Sequence, residues 1–340
     1  MNIIIVGNFY TGAFGRHIAE VLTEMKHNVF RFEPGIKFKH NSILGKRWNT
    51  IRYTMYNEVF SKMSFVKNND VKKLFVTAEQ NKIDLTIVLH DYLSASHVKR
   101  LKNITKSPVV IWFPDALSNF KKSMFLTANY DVQFFVDKYI SDTLKTDFRI
   151  NTGYLPQACF PKYHFKTTLT KDEKQIFGCQ ITNVGNMYPA RIALYRQLTK
   201  YDMKMWGDLP PVWADDDGIK PMMQGKHVHH EEKSKAFNGA KIVLNNLHPA
   251  VINGMNKRTF EITGCGAFQI VKYRPVLDEL FEIGKEVVAY TSYDDLISKI
   301  DYYLEHDEER KKIAVAGYKR AHKDHTLEIR LKSMFKTIFG

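Results

Sequence analysis

Short apolar runs alternate with amphipathic segments along the first half of the chain. The runs predict buried strands at residues 2–7, 28–32, 85–89, 109–113 and 132–136. The segments between them carry apolar residues at helical spacing. They predict helices at residues 16–26, 96–103 and 138–145. Strands that alternate with helices indicate a parallel sheet, in which a ligand binds at the carboxyl ends of the strands. We therefore expect an α/β domain in this half.

The same alternation starts again in the second half. Strands are predicted at residues 181–186, 204–207, 241–246 and 268–271, and helices from about 189 and at 231–238, 293–306, 308–322 and 326–339. The stretch 156–175 between the halves is irregular and is the best candidate for a linker. We therefore predict two Rossmann-like domains, residues 1–165 and 176–323, followed by an amphipathic helix within residues 324–340.

The composition is that of a soluble globular protein. The chain has 340 residues, 44% of them hydrophobic and 25% charged, which suits two cores of ordinary size. No apolar run is long enough to span a bilayer, and the first strand starts without a basic targeting region, so we expect a cytoplasmic protein. Three scattered cysteines argue against a disulfide framework or a zinc site and favour reduced thiols. They are Cys159, Cys179 and Cys265.

Positive charge is concentrated in the first half. The formal net charge is +14, and the first 165 residues hold 23 basic and 13 acidic residues, whereas the rest of the chain holds 27 and 23. The densest run, residues 37–73, interleaves nine basic residues with aromatic ones. Lys46, Arg47 and Arg52 in this run are candidate ligands for a polyanion such as DNA. A solvated helical face with core aromatics is the alternative, and the sequence leaves both open.

In residues 253–268, charged side chains interrupt an apolar pattern. Arg258 and Glu261 stand three residues apart on a helix predicted to begin near Asn256. This arrangement suits a nucleotide sugar, because a helix N-terminus and an arginine attract phosphate while a carboxylate accepts ribose hydroxyls. A surface ion pair between the two residues is the alternative.

Two glycine turns precede predicted helices. The first contains Gly12 and lacks the G-x-G-x-x-G spacing of a dinucleotide site, although its glycines permit a ligand to approach the backbone closely. The second, Gly185 and Asn186, leads into a helix with Arg191 in its first turn. A glycine turn and an early arginine are typical, in outline, of a diphosphate cradle.

Two strand ends in the first half carry candidate general bases. His90 follows the strand at 85–89, and Asp115 follows the strand at 109–113. Either side chain can deprotonate an acceptor hydroxyl if it reaches hydrogen-bonding distance. Asp115 could instead cap a helix, and His90 could be a core residue.

Two polar clusters in the second half give only weak evidence for a functional site. Residues 215–217 are three aspartates that could hold a metal, but no further ligand follows at suitable spacing, which favours a solvated loop. His227, His229 and His230 are interpreted as an exposed run before the next helix.

The motifs of residues 180–335 resemble those of the CgeB-like (spore maturation protein) group of GT-B glycosyltransferases. The matching segments are "TNVGN…R", "MWG", "AKIVLNN", "RTFEITGCGAFQIV", "LFEIGKEVVAY" and "HT…R". The first half matches more loosely, through its glycine turn and "WFPDALSNF". A fainter similarity links the chain to the phage DNA β-glucosyltransferase.

This resemblance implies a GT-B fold, with two Rossmann-like domains facing across a cleft and the last helix packing back on the first domain. It also implies that Arg191 and Arg258 hold the donor diphosphate and that Glu261 holds the ribose. Retaining GT-B enzymes normally have a second Glu eight residues earlier, where this chain has Asn253, so the stereochemical outcome stays open. Asp115 corresponds to the aspartate of the phage enzyme's inverting site.

The predicted function is transfer of a sugar from a nucleotide donor, expected to be UDP-linked, to a hydroxyl group. We favour hydroxymethylated bases of phage-type DNA as acceptor, because the positive charge lies in the half expected to bind acceptor. A cell-surface, spore-coat or teichoic-type glycan is the alternative acceptor, and an anionic membrane surface could bind the same basic residues.

No metal or cofactor is required, since two guanidinium groups can neutralise the diphosphate. An NAD-dependent oxidoreductase is disfavoured by the missing glycine fingerprint, and a non-catalytic nucleic-acid-binding protein is the second alternative.

Overall fold

A computed structural model describes residues 1–34, 71–116, 123–211 and 213–340. The chain divides into two compact units: Met1–Phe113 with Lys121–Gln133, and Pro114–Phe120 with Phe134–Gly340. The candidate polyanion ligands Lys46, Arg47 and Arg52 lie outside the described residues. The predicted domain limits differ from these units and stay a prediction.

The first sheet has six strands in the order β2, β1, β3, β4, β5, β6. They are β1 (Asn2–Val6), β2 (Asn28–Phe32), β3 (Leu85–Val88), β4 (Val109–Phe113), β5 (Gln133–Phe135) and β6 (Thr152–Tyr154). The pairings of β1 with β2 and β3, and of β3 with β4, are parallel. The accompanying helices are α1 (Phe14–Glu24), α2 (Lys72–Gln80), α3 (Ala95–Thr105) and α4 (Lys138–Phe148). Residues 3–6 of β1 are almost fully buried, as a central parallel strand requires.

The second sheet has five parallel strands in the order β11, β10, β9, β7, β8. They are β7 (Cys179–Val184), β8 (Met203–Trp206), β9 (Ala240–Asn245), β10 (Gln269–Lys272) and β11 (Val288–Tyr290). The helices are α5 (Lys171–Phe177), α6 (Pro189–Tyr195), α7 (His230–Gly239), α8 (Lys257–Gly264), α9 (Leu277–Leu280), α10 (Tyr293–Glu305), α11 (Asp307–Asp324) and α12 (Leu327–Phe339). The predicted fold class, with two α/β sheets, is confirmed. None of the helices in the described ranges is long and apolar enough to cross a membrane.

The stretch predicted to be an irregular linker is partly helical and partly buried. Thr170 accepts a hydrogen bond from the Glu173 backbone N–H, and Glu173 accepts one from the Thr170 N–H, so the two residues form a capping box that starts α5. Upstream, Cys159, Phe160 and His164 are buried. Residues 156–170 form no helix and only an isolated bridge at Cys159, as the irregular pattern predicts, whereas residues 171–175 belong to α5. The linker role stays a prediction.

The last helix, α12, buries one face as its pattern predicts, with Leu327, Leu331 and Met334 fully buried. Arg330 at its start donates from Nε to the Pro156 carbonyl oxygen at 3.2 Å. The Leu327 backbone N–H donates to the Cys159 oxygen at 2.9 Å. These bonds fix α12 to residues 156–160. Packing of the helix on a separate first domain stays a prediction.

Candidate functional site

The turn after β7 brings bare backbone against an arginine side chain. Gly185 has φ +140°, and a Cβ at this position would lie 3.2 Å from Cζ of Arg258. Gly207, after β8, has φ +145°, and its Cβ would lie 2.6 Å from the Gly185 oxygen. Both positions need glycine for conformation and for space. The two glycines therefore leave the backbone open beside the guanidinium group.

Arg258 is held at the N-terminus of α8. Asn256 caps this helix by accepting a hydrogen bond from the Thr259 backbone N–H at 3.1 Å, and its side chain also exchanges hydrogen bonds with Asn245. Arg258 donates from Nη1 to Asn183 Oδ1 at 3.3 Å. Burial, followed by the charge of Arg191, lowers the pKa of Arg258 to about 10, so the group remains cationic at neutral pH.

Arg191 stabilises the glycine turn from within. Its side chain is fully buried, with Nε donating to Asn246 Oδ1 at 3.0 Å and Nη1 donating to the Asn186 carbonyl oxygen at 2.5 Å. The guanidinium also lies over the Tyr188 ring, 4.5 Å from its centroid. Within the part of the chain that the structure describes, no carboxylate pairs with Arg191 or Arg258. Two guanidinium groups with no carboxylate in ion-pair contact within the described residues favour an anionic ligand.

Glu261, one turn after Arg258, is 2% exposed and binds cations other than that arginine. Both carboxylate oxygens lie 3.1 Å from Nζ of Lys233. Oε1 also lies 3.2 Å from Nζ of Lys257 and 3.3 Å from Nε2 of His164. Burial raises the pKa of Glu261, but the two lysines and His164 outweigh it and hold that pKa well below its usual range. The alternative of a surface ion pair between Arg258 and Glu261 is wrong.

Asn253 serves the local structure. Its Oδ1 accepts a hydrogen bond from the Val276 backbone N–H at 2.8 Å, at the start of α9. Its own backbone N–H donates to both carboxylate oxygens of Asp137, each at 3.1 Å. Gly254 packs so closely that an added Cβ would lie 2.7 Å from the Val136 oxygen. The residue that replaces the expected second Glu thus fixes a loop with its side-chain oxygen.

The three candidates from the first half occupy the ends of strands or the segments that follow them. Gly12 has φ +82° just before α1. His90 has φ +154° and lies between aromatic rings, 4.6 Å from Phe113 and 5.5 Å from Tyr92 by ring centroids. Asp115 is exposed, and no helix begins beside it within residues 113–116. Their catalytic and binding roles stay predictions.

The other polar clusters have local partners. Asp215 pairs with Arg196 at 2.8 Å, and both Asp216 and Asp217 pair with Lys220. Within the described ranges no group of three or more acidic, histidine or cysteine side chains is arranged to hold a metal. These contacts favour the loop interpretation.

The histidine run is only partly exposed, because the His230 ring stacks on Tyr163 at 3.7 Å. This part of the prediction is wrong. The stacking partner comes from the distant stretch assigned to a linker, so no local pattern indicates the contact.

Sequence analysis missed three residues around Glu261: His164, Lys233 and Lys257. Lys257 lies four residues before Glu261 on the same helix, a spacing that could have indicated the contact. His164 and Lys233 come from distant segments, and no local pattern links them to Glu261.

Sequence comparison finds a family model and a relative that match part of the chain. Residues 191–336 match a family model described as "Glycosyl transferase-like". Spore protein CgeB of Bacillus subtilis (strain 168) is 27% identical over 160 residues, covering 40% of this chain and 46% of that protein. The chain therefore aligns with less than half the length of this relative. The resemblance to the CgeB-like group is confirmed, whereas similarity to the phage DNA β-glucosyltransferase stays a prediction.

Structural comparison identifies the fold. A glycosyltransferase from Rickettsia africae ESF-5 is similar with a TM-score of 0.66 at 12% identity, covering 99% of this chain and 97% of that one. Sucrose-phosphate synthase from Thermosynechococcus elongatus gives 0.68 at 10% identity over 100% and 99% of the chains. Anabaena Alr3699/HepE, solved in complex with UDP and glucose, gives 0.65 at 12% identity over 99% of both. Such identities establish the fold only, and the predicted GT-B fold is confirmed.

Proposed function

We propose that this chain, whose residues 191–336 match the glycosyl transferase-like family, transfers a sugar from a nucleotide-sugar donor to a hydroxyl acceptor. The observation that carries the proposal is the Arg258 guanidinium, held against the bare backbone of Gly185 with no carboxylate partner in the described chain. A diphosphate is the ligand class that this arrangement suits best, because it supplies two negative charges and accepts from backbone N–H groups.

In the proposed mechanism, the donor diphosphate binds at the Gly185–Asn186 turn and the N-terminus of α8. Arg258 donates hydrogen bonds to it, while Arg191, buried behind the turn, adds positive charge without direct contact. Cleavage of the sugar–phosphate bond moves negative charge onto the leaving diphosphate, which both arginines stabilise. This scheme needs no metal. It modifies the expectation that Arg191 touches the phosphate, since its N–H groups already bind protein oxygens.

Glu261 is the proposed ribose ligand. It lies three residues beyond Arg258, and Oε2 accepts from Lys233 alone among the described residues, which leaves capacity for a hydroxyl group. We propose a UDP-linked donor, by analogy with Anabaena Alr3699/HepE, which has been solved with UDP-glucose.

For the acceptor, we propose hydroxymethylated bases in DNA, on the strength of the charge excess in the first half of the chain. Binding of duplex DNA over a salt series tests this proposal. It predicts an affinity that falls steeply with salt and drops when charge is reversed at Lys46, Arg47 and Arg52. Negligible binding at low salt, or indifference to those changes, would contradict it.

A glycan acceptor is the second candidate, and the similarity to Spore protein CgeB favours it. A neutral glycan would show no salt-dependent binding. Transfer of labelled sugar to glycan fractions, compared with hydroxymethylated duplex DNA, distinguishes the two acceptors.

Release of nucleoside diphosphate from a panel of nucleotide sugars tests the activity itself. We expect release from one donor class by the wild type, loss of release in Arg258→Met, and wild-type behaviour in Arg100→Met, an arginine that is 58% exposed in α3. No release from any donor with either acceptor class, together with no binding of nucleoside diphosphates, would overturn the proposed function.

A further inference from the structure

A buried histidine, His164, contacts the proposed ribose ligand from the segment before α5. Its side chain is 2% exposed, and Nε2 lies 3.3 Å from Oε1 of Glu261. We propose that His164 is a positioning residue that orients the Glu261 carboxylate toward the donor ribose. This inference rests on the proposed function, because it assigns Glu261 to the nucleotide.

The hydrogen bond at the other ring nitrogen determines the tautomer of His164. The Phe160 backbone N–H donates to Nδ1 at 2.9 Å, so Nδ1 is an acceptor and carries no proton. A neutral imidazole must then carry its hydrogen on Nε2, which faces Glu261. Burial lowers the pKa of His164 to about 4, which keeps the ring neutral at physiological pH. His164 therefore donates a hydrogen bond to Glu261 without adding a positive charge.

The backbone around His164 holds the ring in place. The His164 N–H donates to the Phe160 oxygen at 2.9 Å, which closes a turn over residues 160–164. The preceding Cys159 exchanges backbone hydrogen bonds with residues 325 and 327, at the start of α12. Because the ring is fixed through both its backbone and Nδ1, the direction of the Nε2–H bond is fixed as well.

The two lysines at Glu261 are less constrained. Their side chains are 18% exposed for Lys233 and 21% exposed for Lys257, and each ammonium group ends a flexible four-carbon chain. The lysine side chains can therefore move aside when a nucleotide binds. The His164 imidazole cannot, because its backbone and Nδ1 hydrogen bonds hold the ring in place. His164 and Lys257 both contact Oε1, so His164 holds this oxygen, while Oε2, which accepts from Lys233, keeps a lone pair for a ribose hydroxyl.

Two substitutions separate positioning from simple core packing. In His164→Asn, the side-chain oxygen can replace Nδ1 and keep the bond from the Phe160 N–H, but the shorter side chain no longer donates to Glu261, which keeps only its lysine partners. In His164→Gln, the amide nitrogen can reach the place of Nε2 and donate to Glu261. If the role is positioning, His164→Gln restores function that His164→Asn loses.

The experiment measures calorimetric affinity for UDP, GDP and ADP and for their 2′,3′-dideoxy analogues. We expect His164→Asn to weaken binding of the preferred ribonucleotide roughly 5- to 20-fold, with little change for its dideoxy analogue, and His164→Gln to stay within about threefold of wild type. In activity assays, the KM for donor should rise more than kcat falls. Equal weakening of both nucleotides, no weakening in His164→Asn, or no rescue in His164→Gln would overturn the positioning role.

Wild-type nucleotide binding and histidine ¹⁵N spectra distinguish failure of this inference from failure of the proposed function. Wild-type protein that binds none of the nucleotides overturns the proposed function and this inference together, whereas normal wild-type binding with an unaffected His164→Asn overturns the inference alone. If a variant fails to fold, ¹⁵N spectra of histidine-labelled wild type decide: we expect an Nε2–H tautomer whose Nε2 signal shifts with saturating nucleotide. An Nδ1–H or charged ring, or no shift, would contradict the proposal.

Discussion

The guanidinium group of Arg258 lies against Gly185, where an added Cβ would be only 3.2 Å from Cζ. The contact joins the end of β7 to the start of α8. A cation, a bare backbone turn and a helix N-terminus thus meet at one place in the second sheet. We interpret this contact as the centre of the donor site, because all three features attract phosphate.

Substitution of Gly185 with alanine should damage this site more than it damages the fold. The new Cβ would press on Arg258, and φ +140° is unfavourable for alanine. We expect roughly tenfold weaker binding of nucleoside diphosphate by calorimetry, with a modest fall in melting temperature. Gly225→Ala is the matched control, because Gly225 also has positive φ but open space around it. Similar affinity losses in both variants would argue against a specific role for the Gly185 contact.

Glu261→Gln should weaken donor binding by roughly 1.5 to 3 kcal/mol, because charged hydrogen bonds to the ribose are lost. Calorimetry with the preferred nucleotide measures the change, and Glu282→Gln, 61% exposed, serves as the control. Unchanged donor affinity in a folded Glu261→Gln protein rejects the ribose role.

Stability should fall as the pH is lowered from about 6.5 to 4. Burial lowers the pKa of His164 and of His325 from 6.5 to about 4, so in this range the unfolded chain binds more protons than the folded one. Each histidine should remove about 2 to 3 kcal/mol of stability across the window. Glu261, whose pKa is lowered, adds a loss below its ordinary value of 4.5.

Calorimetric melting temperatures between pH 4 and 7 measure this dependence. His164→Asn should have a shallower decline than wild type, since one of the titrating groups is gone. If melting temperature falls equally with pH in both proteins, His164 does not have the lowered pKa that a buried, neutral ring should have.

Asp115→Asn should lower turnover by a factor of about 10² to 10⁴ while leaving donor affinity unchanged, because only the acceptor hydroxyl loses its base. Asp142→Asn, exposed on α4, is the control. Wild-type turnover in a folded Asp115→Asn protein would make the base assignment wrong, and His90→Gln would then be the next variant. Analysis of the product anomer resolves the stereochemistry that Asn253 leaves open.

Local patterns were sufficient to predict most of the fold. Continuous apolar runs predicted strands such as β1 and β9, since strands buried on both faces of a parallel sheet need them. Asn256, a strong capping residue, marked the start of α8 and so placed Arg258 and Glu261 one turn apart. Spacing alone left the surface ion pair as an alternative, and the burial of Glu261 against lysines and a histidine, which decides against it, appears only in the structure.

Contacts between distant segments could not be predicted in this way. His164 reaches Glu261 from a stretch with mixed polar and apolar residues and no periodicity, which was assigned to a linker. Asp137 caps α4, and its further bonds to the backbone of Ile252 and Asn253 depend on tertiary packing, which the sequence pattern does not show. The distance in sequence between Gly185 and Arg191 is the same whether the arginine side chain points to a ligand or into the turn. Only the structure distinguishes the two orientations.

A crystal structure with UDP, or with the nucleotide that the binding panel selects, tests the central claim most directly. We predict that the diphosphate oxygens lie within hydrogen-bonding distance of the Arg258 guanidinium and the Asn186 backbone N–H, with the ribose hydroxyls at Glu261, since the Gly185 N–H already donates to the Trp206 oxygen. A nucleotide bound elsewhere, or bound with its diphosphate directed away from Arg258, would contradict the claim.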